Sequence, residues 1–151
     1  MGEMVLELYI DKMPITSENF IKLSQIGFFT ELVFHRVIDD FVIQGGGYYA
    51  NGTHKKSPYD PIVLETHPEV MHVDGAISMA RTNDPNSATS QFFICDGLQH
   101  RLDGNYSAFG KVINGLDVLR DIAAVETKTR YFMKDWPVDD IIINSVTILE
   151  V

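Results

Sequence analysis

One cation stands apart in this chain. In the segment FHRVIDDFVIQGGGYY, residues 34–49, Arg36 lies in a run of apolar and aromatic residues that closes on Gln44 and three glycines, Gly45, Gly46 and Gly47. A guanidinium stays charged and offers several rigidly placed donors, so on an apolar surface it marks a candidate for chemistry. Other chemistries lack their residues. No G-x-x-x-x-G-K-[ST] or G-x-G-x-x-G surrounds the glycines and no helix follows them, so they read as backbone freedom at a strand end, not as a phosphate cradle. His35, His54, His67, His72 and His100 show neither H-x-x-x-H nor H-E-x-x-H spacing, and Cys95 has no partner, so neither metal nor other cofactor is expected. No serine sits in G-x-S-x-G. Cys95 ends an apolar strand and reads as a small core residue, while Asp39 and Asp40 read as solvated turn formers.

Composition narrows the partners. With 151 residues, 45% of them apolar and 22% charged, the chain has the length and balance of one globular domain, taken here as 1–151. The formal net charge is −9 and the cations are scattered, which argues against nucleic-acid and anionic membrane surfaces. A lone cysteine, no basic-then-apolar leader and no apolar run of roughly 20 residues point to the cytoplasm.

Eight segments read as strands: MVLELYI, LVFHRVI, FVIQ, IVLET, GAISMA, QFFIC, AFGKVI and IIINSVTILEV. A first helix is expected after a Thr16 or Ser17 cap, with Phe20, Ile21, Leu23 and Ile26 as its apolar stripe and Gly27 as its stop. A second, LDVLRDIAA, follows Gly115. Residues 45–61, 81–90 and 96–107 read as loops, and 126–140 as irregular. Without βαβ alternation, short strands eliminate their edges by closing. The predicted fold is mainly β: an antiparallel barrel, closed or nearly so, with two helices over its ends.

The segments FHRVIDDFVIQGG, GAISMARTNDPNSATSQFFIC and LDGNYSAFGKV resemble, in order and spacing, the signature segments of the cyclophilin-type peptidyl-prolyl cis-trans isomerases. The resemblance spans nearly the whole chain and is similar to prokaryotic, single-domain members. It implies an eight-stranded antiparallel barrel capped by two helices, and an enzyme that turns X–Pro bonds in flexible polypeptides. It places Arg36 as the catalytic donor with Phe41 and Gln44 beside it. Phe93 and Leu102 would line the proline pocket with Phe41, and Val42 would lie nearby. Ala80, Arg81 and Gln91 would border the peptide groove, Arg81 chiefly through its main chain. Gln91 and Phe93 share one face of QFFIC, and Phe92 and Ile94 the other.

Three positions depart from the best-known eukaryotic pattern: Arg101 stands where many members have Trp, Tyr106 where they have His, and Val42 where they have Met. Tyr106 can still close the pocket with its ring. Arg101 bears more on inhibitors than on proline, and implies weakened affinity for cyclosporin. Members also carry one more strand before the segment matching MVLELY, so the barrel is expected to have seven strands or a stub there, its edges closing locally or pairing. Otherwise a monomer is expected.

Elementary chemistry agrees with this resemblance. Rotation about X–Pro breaks amide resonance against a barrier near ~20 kcal/mol. In the twisted state the prolyl nitrogen regains its lone pair and can accept a hydrogen bond, so a fixed guanidinium binds that state better than either ground state. Two alternatives remain on the sequence alone: a peptide-binding or chaperone module on the same fold, and a small metal- or nucleophile-dependent hydrolase.

Overall fold

The computed structural model describes residues 1–150. Six strands form one antiparallel sheet: β1 (Val5–Leu8), β2 (Leu32–Ile38), β3 (Val42–Tyr49), β4 (Ala76–Met79), β5 (Phe92–Cys95) and β6 (Ala108–Asn114). Their order is β1-β6-β4-β5-β3-β2, and β7 (Thr127–Arg130) pairs separately with β8 (Met133–Pro137). With α1 (Pro14–Gln25) and α2 (Leu116–Ala123) this is the expected mainly β, eight-stranded, two-helix architecture. The barrel-like sheet is not closed by hydrogen bonds between β1 and β2.

Its interior is aromatic. Phe20 of α1 meets Phe29, Phe92 and Phe109 at ring-centroid distances of 5.0, 5.5 and 5.4 Å. Val118, Leu119 and Ile122 of α2 are also buried in this core. A smaller apolar cluster of Val42, Ala76, Phe93 and Cys95 lies on the other face of the sheet.

Several expectations need correction. The helix begins at Pro14, not after a Thr16 or Ser17 cap. Pro is favoured in a first turn, and the free N–H groups of Ile15 and Thr16 donate to Glu65, distant in sequence, at 3.1 and 2.9 Å. A local cap is therefore unnecessary. IVLET is no strand; it contributes one bridge, Ile62 to Ala88. Of the described residues of IIINSVTILEV, only 141–143 pair with the chain: Ile142 bridges Val33, and Glu31 and Phe34 donate to Ile143 and Ile141. That short segment covers the β2 edge, while β1 stays an edge of four residues. Val151, the last residue of the predicted strand, lies outside the described residues. The irregular stretch 126–140 is the β7–β8 hairpin.

The three glycines lie inside β3, not in a loop. Gly46 has φ +88°, and a Cβ there would lie 2.7 Å from the Ser90 carbonyl oxygen. At Gly47 a Cβ would lie 2.6 Å from the Gln91 side chain. Only glycine lets the neighbouring 90–91 segment close on the strand.

A β-bulge interrupts β2. Phe34 pairs with Gly45 and Arg36 with Gln44, so one step on β3 is matched by two on β2 and His35 is the extra residue. His35 is 5% exposed and packs on Tyr48 and Trp136 at 4.7 and 5.9 Å. Burial, then the nearby Arg36 and His54 charges, push its pKa from 6.5 down to about 4. Because the folded value lies below the unfolded one, the unfolded chain takes up the proton first. His35 therefore contributes full stability above about pH 6.5, and that contribution falls as the pH drops toward 4. Urea unfolding is expected to show a loss of about 2 kcal/mol from this residue between about pH 7.5 and 5, removed by His35→Phe. An unchanged pH slope in the variant would contradict this assignment.

Candidate active site

The bulge decides where Arg36 points. Strict alternation would put it on the face of Phe34, which is in the core. The extra residue turns it to the opposite face, beside Gln44. Register then lines residues up across four strands: Arg36 with Gln44, Gln44 with Phe93, and Phe93 with Ser78. Arg36, Phe41, Val42, Gln44, Ala80, Arg81, Phe93, Leu102 and Tyr106 line one cavity of about 310 Å³. All nine were expected at the site. Gln91 and Arg101 stand at its margin.

The polar side of this cavity is a chain of side-chain hydrogen bonds. Arg36 Nη1 donates to Gln44 Oε1 at 3.2 Å, and Gln44 Nε2 donates to Gln91 Oε1 at 3.1 Å. Among the described residues Arg36 makes no ion pair, so its charge is not neutralised by a carboxylate. The apolar side is the second cluster: Val42 and Phe93 are 2% and 5% exposed, with Phe41, Ala80, Leu102 and Tyr106 packed against them. Phe93 and Tyr106 meet edge to face at 5.8 Å.

Arg81 is used differently from Arg36. Its Nε and Nη2 donate to the Asn105 carbonyl and its Nη1 to the Thr82 carbonyl, while its guanidinium carbon lies 4.6 Å from the Tyr106 ring centroid. It braces the wall that carries Tyr106. Beside it, the Ala80 N–H donates to the Gln91 carbonyl at 3.0 Å. Arg101 lies over Phe41, its guanidinium carbon 4.5 Å from the ring centroid.

Two supports escaped sequence reasoning. His72, 1% exposed, stacks on Phe93 at 6.0 Å and 15°. Its Nδ1 is 2.8 Å from Asp103 Oδ1 and its Nε2 is 2.8 Å from Ser78 Oγ. Burial lowers its pKa against the raising effect of Asp103, so the ring is held neutral and fixed beneath the pocket. The second support holds Phe41. The Asp40 N–H donates to Asp96 Oδ2, the Asp96 N–H donates to the Phe41 carbonyl, and Arg120 Nη1 donates to Asp96 Oδ1. Asp39, Asp40 and Asp96 come within 4.8 Å of one another, but Asp96 is taken up by these bonds and the trio serves the turn. His72 lies in the ambiguous stretch EVMHVD, where no spacing marks it. The Cys95 thiol, buried in the small cluster, is pushed up to about 12 chiefly by burial and stays protonated.

The family model described as "Cyclophilin type peptidyl-prolyl cis-trans isomerase/CLD" matches residues 1–148. The chain is a cyclophilin. It is 39% identical to peptidyl-prolyl cis-trans isomerase B of Escherichia coli (strain K12), over 99% of this chain and 95% of that protein. It is 38% identical to peptidyl-prolyl cis-trans isomerase cyp18 of Streptomyces antibioticus, over 98% and 93%. A crystal structure of a cyclophilin-type isomerase from Cryptosporidium parvum, obtained in the presence of the dipeptide Ala-Pro, superposes with a TM-score of 0.84. That alignment is 30% identical and covers 99% of this chain and 94% of that one. This cyclophilin has its family's fold, and its apolar cleft carries at its polar side the Arg36 guanidinium, which makes no ion pair among the described residues.

Proposed function

We propose that this cyclophilin catalyses cis-trans rotation of X–Pro bonds in proline-containing polypeptides, with Arg36 as the donor to the prolyl nitrogen in the twisted state. The observation that carries this reading is the placement of Arg36. Among the described residues it is unpaired by any carboxylate; it is held at one N–H by Gln44 and set across the strands from the apolar wall of Phe93. The proline ring fits among Phe41, Phe93 and Leu102, with Val42 below and Tyr106 at the side. Gln44, Gln91 and the main chain at Ala80 and Arg81 hold the flanking peptide.

Packing lowers the local dielectric and strengthens a charge-assisted hydrogen bond. Turnover in milliseconds requires about 10⁴-fold acceleration over tens of seconds, or roughly 5–6 kcal/mol. One preorganised donor acting on the twisted state, together with desolvation, is of that order. Exchange spectroscopy on a short X–Pro peptide tests the activity: this chain should accelerate interconversion without changing the cis-to-trans ratio, and no acceleration would refute the reading. The proposed step uses no metal. A chelator is expected to leave the rate unchanged, whereas inhibition reversed by a divalent ion would revive a metal-dependent hydrolase.

The whole chain serves as a single isomerase domain. The setting proposed is the cytoplasm, on the sequence reading of a lone cysteine. No described helix is long and apolar enough to cross a membrane, and the net charge of −9 disfavours nucleic acid. It acts as a monomer, since the β2 edge is covered by residues 141–143 and the β1 edge is short and carries Glu7. Cyclosporin is expected to bind the same cleft weakly.

A further inference from the structure

Among the described residues, the lining of the cleft includes Arg36 and Arg81 and no carboxylate, with Arg101 at its margin, while Asp39, Asp40, Asp96 and Asp103 lie behind Phe41 and Phe93. The chain carries a net charge of −9, yet Arg36 and Arg101 both lie against the Phe41 ring, at 5.9 and 4.5 Å from its centroid, and Arg81 lies on Tyr106 across the cavity. None of the three makes an ion pair among the described residues. Arg81 spends its donors on the carbonyls of Asn105 and Thr82. Arg101 has no hydrogen-bonded partner among the described residues and is exposed.

A guanidinium stacked on an aromatic face keeps its N–H edge free, in a geometry that matches a carboxylate with two parallel hydrogen bonds. The stacking also restrains a side chain that would otherwise lose rotamer freedom on binding. Two guanidinium groups near one ring favour an anion there, and a carboxylate that meets Arg101 directly lies well within a Debye length of it.

We propose that Arg101 makes this cyclophilin prefer X–Pro bonds with an aspartate or glutamate within two residues of the proline, the carboxylate meeting the Arg101 guanidinium over Phe41. The proposal rests on the isomerase reading above and specifies the substrate class of that site. Uncharged proline peptides remain substrates, because their contacts are with the apolar wall and Arg36.

The test compares kcat/KM, by exchange NMR, for the peptide Ala-Ala-Ala-Pro-Ala-Ala and for versions with Asp or Lys at each of the two positions on either side of proline. Wild type is expected to favour Asp over Ala by about three- to tenfold at one of these positions, an advantage that shrinks in about 0.5 M salt. Within Arg101→Gln the Asp-to-Ala ratio should fall to about one, and within Arg101→Glu the Lys peptide should become the better substrate. Taking ratios within each variant removes any general effect of the substitution on turnover. A wild-type ratio near one at every position, or a preference that persists in Arg101→Gln, overturns the proposal while the isomerase reading stands. Failure of wild type to accelerate the all-alanine peptide would instead overturn the isomerase reading, and this proposal with it.

Discussion

Arg36→Ala is expected to lower kcat/KM for an X–Pro peptide by at least about 100-fold, a loss of about 2.7 kcal/mol of transition-state stabilisation. Arg36 donates to Gln44 and supplies the cleft with charge, but it fills no part of the aromatic core. The fold should therefore survive the substitution, and the circular dichroism spectrum and urea midpoint should stay close to wild type. The neighbouring Gln44 keeps its bond to Gln91, so the groove wall persists without its cation. Activity within a few-fold of wild type in a folded Arg36→Ala protein would remove Arg36 from the mechanism.

Cyclosporin affinity is expected to be about 10- to 100-fold weaker than in cyclophilins with Trp at the position of Arg101. An indole there presents an apolar wall and one donor to a mostly apolar ligand. Arg101 instead places a solvated cation over Phe41, and covering it with apolar surface removes part of its hydration. A short proline peptide sits among Phe41, Phe93 and Leu102 and depends less on this wall. Inhibition titrations should show Arg101→Trp regaining part of the lost affinity. Low-nanomolar inhibition of the natural sequence, or no gain in the Trp variant, would contradict the role given to Arg101.

The candidate site was legible chiefly through the resemblance of its segments to a known family; strand alternation supports it only where the residues lie in strands, as Arg36, Val42, Gln44 and Phe93 do. In QFFIC the predicted split held: Phe92 and Ile94 are in the main core and Phe93 and Cys95 in the cleft cluster. LVFHRVI matches β2 residue for residue, yet the bulge at His35 that turns Arg36 to the cleft has no sequence signature. Bulges depend on pairing with a partner strand, and one sequence does not display its partner.

The β7–β8 hairpin was missed for a local reason. Tyr131 and Phe132 take positive φ, 50° and 64°, at its turn, where Asn and Gly are the usual markers. Tyr131 is held there by its hydroxyl, which donates to the Ala50 carbonyl, and by packing on Trp136. The opposite error came from IIINSVTILEV, whose apolar residues suggest a full strand although, among the described residues, only 141–143 find a partner edge. The supports beneath Phe93 and Phe41 were invisible because His72, Asp103, Asp96 and Arg120 are assembled only by the fold.

The central claim is that Arg36 acts on the twisted state and not on the bound peptide. The most direct measurement is NMR line-shape and exchange analysis of one X–Pro peptide with wild type and Arg36→Ala, which yields peptide affinity and on-enzyme interconversion rate from the same sample. The account predicts a Kd within a few-fold of wild type and an on-enzyme rate at least about 100-fold slower. An equal on-enzyme rate with the loss appearing only in Kd would contradict it.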